Sequence, residues 1–424
     1  MGCFLSVEKG AQEDEDADYS SGKSDDVFAD PSSSSDAAKT AVKFVQDIQD
    51  LSRGNGDIEV FTHDEMKLAT GSFRRSCVIG CGGFGSVYRG IIGDSVRPGF
   101  STTQVAIKVL NPEGQQGDRE WLAEVNYQGQ LRHPNLVKLI GYCCESDHRL
   151  LVYEYMASGC LEEHLFQKVN NNLTWQKRLK IAFDAAKGLA FLHDLESPII
   201  YRDFKSSNIL LDEDFKAKLS DFGLARLGPT GDQTHVSTRV MGTYGYAAPE
   251  YLMTGHLTAK NDVYGFGVVL LEMLSGKRAT DKNRPCKEHN LVKWARPLLK
   301  NNMKLLSILD PNVEGQYSTE SLMKVAKLAY LCLSENPKVR PDMSQVLKKL
   351  EPIVAQEIRR QEAMPSKKGD GGSVTLFEVP ENKHESTGEI KRKQHRTDRD
   401  RRVVPEKNRD LRKSRSQRSL NSDS

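Results

Sequence analysis

The chain changes its hydrophobic period once, inside one uninterrupted stretch, and that change limits its fold more than any other feature. From about Phe73 to Ile353 apolar residues recur with no long polar gap, so one body must form there. Its first part reads as strands. Ser86-Val87-Tyr88-Arg89, Val105 to Leu110, Val137 to Cys143 and Leu150 to Tyr155 are rich in β-branched, aromatic and other apolar residues. One helix, around Gly117 to Leu131, interrupts them. After Met156 the period becomes helical: Leu179, Ala182, Phe183, Ala186, Leu189, Ala190 and His193 fall on one helix face. A short hairpin, Asn208 to Leu211 with Ala217 to Ser220, is the exception, and the helical pattern then continues to about residue 352. This order implies an α+β chain with a small β-rich lobe (73–155) and a larger helical lobe (156–352). A cleft between two such lobes is the usual place for a ligand.

The flanks read differently. Residues 1–60 are Ser-rich and acidic, with ten Asp/Glu against two Lys between positions 8 and 36, and are expected to be a disordered tail. Residues 357–424 turn polar and then basic, with thirteen Lys/Arg against four Asp/Glu between 391 and 418, and are expected to be disordered as well. Between tail and body, Thr62-His63-Asp64-Glu65 has the form of a capping box and predicts a helix start. The overall net charge of +2 therefore hides two opposed tails and excludes a wholly acidic or histone-like chain. A membrane span needs roughly 17–25 apolar residues, and the longest charge-free apolar run is only Val263 to Leu271. The eight cysteines fit neither paired zinc-ligand spacing nor a small disulfide scaffold. No aromatic residue lies in 391–418 to stack bases, so nucleic acid is not the expected partner of the basic tail. A solvated tail and a contact with anionic lipid both remain open for it.

Several short motifs carry chemistry. Gly80-Cys81-Gly82-Gly83-Phe84-Gly85-Ser86-Val87, following Ile79, is G-x-G-x-x-G-x-V. Glycines let backbone N–H groups approach phosphate oxygens. Alone, the run equally suits a tight turn, and the strand that follows it disfavours a dinucleotide fingerprint. Val105-Ala106-Ile107-Lys108 puts a lysine on a strand, where it can neutralise phosphate or simply be solvated; Glu124 on the next helix can pair with it. Arg202-Asp203-Phe204-Lys205-Ser206-Ser207-Asn208 places an acid, a base and an amide on one loop before the hairpin. Asp221-Phe222-Gly223 and Ala248-Pro249-Glu250 follow in order.

Together these motifs resemble the eukaryotic protein kinases over about residues 73–352. The resemblance implies the bilobal kinase fold and phosphoryl transfer from ATP, a reaction driven mostly by positioning and electrostatics. It implies that the loop from Ile79 through Gly80, Cys81, Gly82, Gly83, Phe84, Gly85, Ser86 and Val87, with Ala106, surrounds ATP. Lys108 would contact the α- and β-phosphates and pair with Glu124. Tyr153 falls at the gatekeeper position, and Glu154 to Met156 would offer backbone hydrogen bonds to adenine. Asp203 would orient the substrate hydroxyl and take its proton, Lys205 would steady the transferring group, and Asn208 and Asp221 would hold Mg²⁺, with Mn²⁺ as a substitute. Lys205 is the serine/threonine pattern. Arg202 resembles kinases switched on by activation-segment phosphate, with Ser237, Thr238 and Thr243 as candidate acceptors. Glu250 with Arg340 matches a structural salt bridge, and Asp262 matches the acid that braces the catalytic loop.

A narrower resemblance is to plant receptor-like cytoplasmic kinases, which are membrane-tethered and act in immune signalling below receptor kinases. It rests on Phe61-Thr62 to Ala69-Thr70, Phe73, Leu150 to Met156, Tyr201 to Lys205 and Ser237 to Glu250. Tyr201 stands where most kinases have a structural histidine. Cys81 stands where an acid is common in this branch, which suits either a tolerated substitution or a redox-sensitive thiol. Met1-Gly2-Cys3-Phe4-Leu5-Ser6 fits a myristoylation signal at Gly2, with Cys3 available for palmitate. The expectation is a serine/threonine kinase, lipid-anchored at the cytoplasmic face of the plasma membrane, with protein substrates and receptor-kinase partners. The alternative is a pseudokinase-like scaffold.

Overall fold

The structure, a computed structural model, describes residues 58–82, 85–111, 117–167 and 173–363. The expectations for Gly2, Cys3, Gly83, Phe84 and most of the two tails lie outside these residues. A six-stranded sheet forms the first lobe in the order β1-β5-β6-β4-β3-β2. Its strands are β1 (Glu59–Val60), β2 (Val78–Gly82), β3 (Gly85–Ile92), β4 (Thr103–Leu110), β5 (Leu139–Glu145) and β6 (His148–Glu154). All neighbours are antiparallel except β1, which runs parallel to β5. Helix α1 (His63–Thr70) begins at the predicted capping box: the Thr62 hydroxyl accepts the Glu65 N–H at 3.2 Å and the Glu65 carboxylate accepts the Thr62 N–H at 2.7 Å. Helix α2 (Asp118–Gln130) packs its buried Trp121, Glu124 and Val125 toward β5 and β6.

The second lobe is helical. Its core helix α6 (Ala259–Ser275) has every residue from Asn261 onward buried, the signature of a helix enclosed on all sides. Around it stand α3 (Leu161–Phe166), α4 (Trp175–His193), α5 (Pro249–Thr254), α7 (Leu291–Ala295), α8 (Asn302–Leu306), α9 (Thr319–Cys332) and α10 (Met343–Glu362). The expected hairpin is present as β8 (Ile209–Leu211) paired antiparallel with β9 (Ala217–Leu219). The remaining short strands, β7 (Ile199–Ile200), β10 (Arg226–Leu227), β11 (Val236–Ser237) and β12 (His256–Leu257), stitch loops together in pairs. Among the described residues no helix is long and apolar enough to cross a membrane.

Both edges of the body differ from the sequence expectation. Glu59 and Val60, assigned above to the disordered tail, form β1. They are held by the buried Phe61 and by Arg97, which pairs with Glu59 and Glu65 at 2.8 Å each and donates to the Val60 carbonyl at 2.6 Å. At the other end, residues 357–362 were also assigned to the tail. They continue α10 instead, past Pro352, which lies inside the helix. The buried Glu357 secures the extension by accepting the Ser318 N–H at 3.1 Å and its hydroxyl at 2.6 Å.

Candidate active site

A cavity of about 430 Å³ lies between the sheet and the helical lobe. Its walls at one end are apolar, formed by Ile79, Val87, Ala106, Val137 and Leu210, and its other end carries Lys108, Glu124 and Asp221. Alternation along β4 puts Ala106 and Lys108 on the same face of the sheet, toward the cavity. The segment leaving β6 forms the rim. The Glu154 N–H is consumed by the Lys138 carbonyl at 3.1 Å, and the Met156 carbonyl accepts the Gly159 N–H at 3.3 Å. Of the bonds expected for a base here, those compatible with this wiring use the Glu154 carbonyl and the Met156 N–H.

Lys108 Nζ meets Glu124 Oε1 at 2.7 Å and Asp221 Oδ1 at 3.4 Å. Burial disfavours the ammonium, but the two carboxylates outweigh it and hold its pKa above the ordinary lysine value. Burial likewise pushes the Glu124 carboxyl up, against the pull of Lys108. The Tyr153 phenol donates to the other Glu124 oxygen, and burial keeps that phenol protonated far above its usual range. The glycine-rich hairpin contributes Ile79 and Val87 to the cavity wall, and Gly82 stands opposite Gly85 in its register. Gly85 has φ +122°, and a Cβ there would lie 2.0 Å from the Val109 carbonyl oxygen, so only glycine fits. Cys81 and Ser86 face each other across the hairpin, sulfur to oxygen 3.5 Å.

The loop before β8 brings the catalytic candidates together. Asp203 Oδ2 pairs with Lys205 Nζ at 2.7 Å, and Oδ1 accepts the Thr243 hydroxyl at 2.7 Å. Lys205 also donates to Thr243 Oγ1 at 2.9 Å. Asn208 Nδ2 donates to the Asp203 carbonyl at 3.0 Å and to Oδ2 at 3.3 Å, which points its amide oxygen elsewhere. Asp262 braces the loop from α6: its two oxygens accept the Tyr201 N–H at 2.8 Å, the Arg202 N–H at 2.7 Å and His193 Nε2 at 2.8 Å. Arg202 (φ +75°) and Asp221 (φ +61°) both sit in the left-handed region. Such conformations persist where surrounding bonds enforce them, and they cluster at functional sites.

The segment from Asp221 to Glu250 folds back on this loop. Arg202 Nη2 donates to Thr238 Oγ1 at 2.8 Å and to the Tyr251 hydroxyl at 2.7 Å. Ser237 lies on β11, opposite His256, with an exposed side chain that Arg202 does not reach in these contacts. Arg340, with no exposed side-chain surface, clamps Glu250 through two bonds of 2.6 and 2.7 Å. Asn261 adds a third to the same carboxylate at 3.0 Å.

This arrangement has a family. Residues 73–350 match the protein tyrosine and serine/threonine kinase family. The chain belongs to that family. A probable serine/threonine-protein kinase of Arabidopsis thaliana, PBL17, is 66% identical over 80% of this chain and 76% of its own length. A second from the same plant, PBL8, is 65% identical over 69% of this chain and 72% of its own. An EPD1-interacting receptor-like cytoplasmic serine/threonine-protein kinase of Nicotiana benthamiana is 62% identical over 70% of this chain and 64% of its own length. The kinase is thus a serine/threonine protein kinase of the plant receptor-like cytoplasmic type.

The kinase also uses residues that its sequence did not single out. The Tyr251 hydroxyl accepts from Arg202 and from the Met241 N–H at 3.1 Å, so it organises the segment around Thr238. Tyr201 fills its site as expected. It is fully buried, edge-on to Phe222 with ring centroids 5.2 Å apart, and its hydroxyl donates to the Ser220 carbonyl. No sequence signal marks Tyr251, because a tyrosine beside Ala-Pro-Glu reads as ordinary core.

Proposed function

We propose that Asp203 accepts the proton of a protein serine or threonine hydroxyl while Lys205 neutralises the transferring phosphoryl group of ATP. The observation that carries this reading is that Asp203 meets both Lys205, at 2.7 Å, and Asn208, at 3.3 Å, on one loop, while Lys108 and Asp221, 3.4 Å apart, line the cavity. Lys108, held cationic by Glu124 and Asp221, is suited to bind phosphate oxygens. The donor set also suits a hard divalent cation: the Asp221 carboxylate and the Asn208 amide oxygen are oxygen ligands of the type Mg²⁺ takes, or Mn²⁺ in its place. When bound, Mg²⁺ supplies charge neutralisation to the phosphates. The apolar walls at Val87, Ala106 and Leu210 suit a flat base. Thr243 already hydrogen-bonds Asp203 and Lys205, which suits a hydroxyl that holds the pair in register. Thr238, in contact with Arg202, is the acceptor best placed for an activating phosphate.

The catalytic unit in this reading is 73–352, with β1 and α1 packed onto it. Gly2 and Cys3 carry myristate and palmitate and anchor the protein at the cytoplasmic face of the plasma membrane; the motif in the first six residues supports this. Receptor-like kinases at that surface, in immune or developmental signalling, are the proposed upstream partners, in keeping with the EPD1-interacting name of one relative. A scaffold without catalysis finds no support in a site whose charged set is complete. The deciding experiment is phosphate transfer from labelled ATP to a mixed serine/threonine peptide pool. Wild type transfers label, and Asp203→Asn falls by about 10²–10⁴-fold, the usual worth of a positioned base. Equal transfer by the two overturns the assignment.

A further inference from the structure

The rim of the cavity holds an ion pair that the catalytic reading does not use. Glu154 ends β6, and its carboxylate is spent on two different parts of the molecule. Oε1 accepts the Lys138 N–H at 2.7 Å, just before β5. Oε2 meets Lys218 Nζ at 2.6 Å, on β9 in the helical lobe. Lys218 is three residues before Asp221, the proposed cation ligand. Its own strand is held from the side as well: Leu219 donates to the Asn135 carbonyl and accepts from the Val137 N–H, both at 2.9 Å, and Asn135 Nδ2 donates to the Ala217 carbonyl at 2.9 Å.

This side-chain bridge therefore ties the rim at Glu154 to β9, beside the backbone bonds that hold β9 to Asn135 and Val137 and join Ser158 and Gly159 to Leu211. The main chain of Glu154 is the stretch expected to read the base, and β9 delivers Asp221. We infer that Lys218 is a positioning residue for nucleotide binding: by gripping the Glu154 carboxylate it sets the spacing between the rim that faces the base and the strand that carries Asp221. The inference rests on the nucleotide reading above. Lys218 and Glu154 keep 16% and 29% of their side-chain surface, so the pair is screened only in part and its strength depends on salt. Loss of the bridge loosens the spacing at Glu154, where the backbone bonds of Ser158, Gly159 and Val137 do not reach, without removing any group from the phosphate site.

Isothermal titration calorimetry with Mg-ATP, on the full chain, tests this directly. The variants are Lys218→Met, which keeps the stem and loses the charge, Lys218→Arg, and the swap Glu154→Lys with Lys218→Glu. The expected result is that Lys218→Met weakens Kd about fivefold, the scale of a partly exposed ion pair. KM for ATP rises in step, while kcat at saturating ATP falls by less than about twofold, because uniform binding rather than the transition state is affected. Lys218→Arg binds like wild type, the swap recovers most of the loss, and high salt weakens the wild type toward the Lys218→Met value. A circular-dichroism melt confirms that each variant is folded. Wild-type affinity in Lys218→Met overturns the inference, as does a loss that neither arginine nor the swap repairs. If wild type itself binds no Mg-ATP, the nucleotide reading falls and this inference with it; tight wild-type binding with an unchanged Lys218→Met isolates the failure to the bridge.

Discussion

Replacing Glu272 by glutamine should flatten the pH dependence of stability. Glu272 is on α6 and fully buried. Oε1 accepts the Tyr246 hydroxyl and the Ala279 N–H, each at 2.8 Å, but Oε2 is buried with no hydrogen-bond partner. Burial raises the carboxyl from 4.5 to about 7, only partly opposed by those bonds. The folded state therefore holds the proton more tightly than the unfolded state. The stability this contributes is full below the unfolded pKa near 4.5, is lost as pH rises from there to about 7, and changes no further above. At about 1.4 kcal/mol per unit the whole window is worth about 3 kcal/mol, of which about 2 kcal/mol falls between pH 5.5 and 8.5. A glutamine oxygen keeps both bonds of Oε1 and its amide occupies the place of Oε2 without a charge. Urea unfolding of both proteins at constant ionic strength across that range reads the effect as a difference, so that other titrating groups cancel. Wild type should lose about 2 kcal/mol relative to Glu272→Gln as pH rises. Parallel curves, with a constant offset, would refute the argument, since the carboxyl would then hold one protonation state throughout.

Three further outcomes follow from contacts described above. Arg340→Leu leaves the Glu250 carboxylate without its clamp and should cost about 3–5 kcal/mol, seen as a fall of roughly 10 °C in thermal midpoint; an unchanged midpoint would show that the clamp is dispensable. Thr238→Ala should reduce the gain in activity on autophosphorylation by about tenfold, one charge-assisted bond to Arg202, while Ser237→Ala keeps the gain; peptide phosphorylation before and after incubation with ATP measures both. Gly2→Ala should shift the protein from the membrane to the soluble fraction. Cys3→Ser should leave a mixed distribution, because one myristoyl chain binds with a constant of only about 10⁴ M⁻¹.

The loop of candidate catalytic residues was legible because Arg202, Asp203, Lys205 and Asn208 lie within seven positions and each side chain has a chemistry the proposed reaction would use. Lys108 with Glu124 was legible for a related reason: strand, helix and charge sign all agree. The partners that remained hidden join residues far apart in sequence and of ordinary type. Tyr153 and Glu124 are 29 positions apart, Arg202 and Tyr251 are 49, and Glu154 and Lys218 are 64. Nothing local in a buried tyrosine or a strand lysine announces a distant acceptor. The ends of the body were misread through local rules that tertiary contacts override. The polar turn of the sequence past Gln356 argues for a tail, yet Glu357 is buried and the helix carries on to Glu362. Glu59 and Val60 are only two residues beside an acidic, Ser-rich tail, yet Arg97 and the edge of β5 recruit them.

The bond between Tyr153 and Glu124 bears on how this enzyme can be made individually inhibitable. Tyr153 lines the cavity, so cutting its side chain down to glycine enlarges the space open to a bulky competitive compound. Here the trimmed ring is also the donor that holds one oxygen of Glu124, while Lys108 holds the other. Tyr153→Gly would remove that bond from a buried carboxylate, and a hydrogen bond to a charged group is worth about 1.5–3 kcal/mol before any cavity is counted. The helix bearing Glu124 would then lose one of the contacts that hold it to the sheet, and the sensitised allele would be handicapped before any compound is added. An inhibitor that keeps a hydroxyl or amide N–H where the phenol was would restore the missing donor, so the same compound could rescue the fold of the allele it blocks.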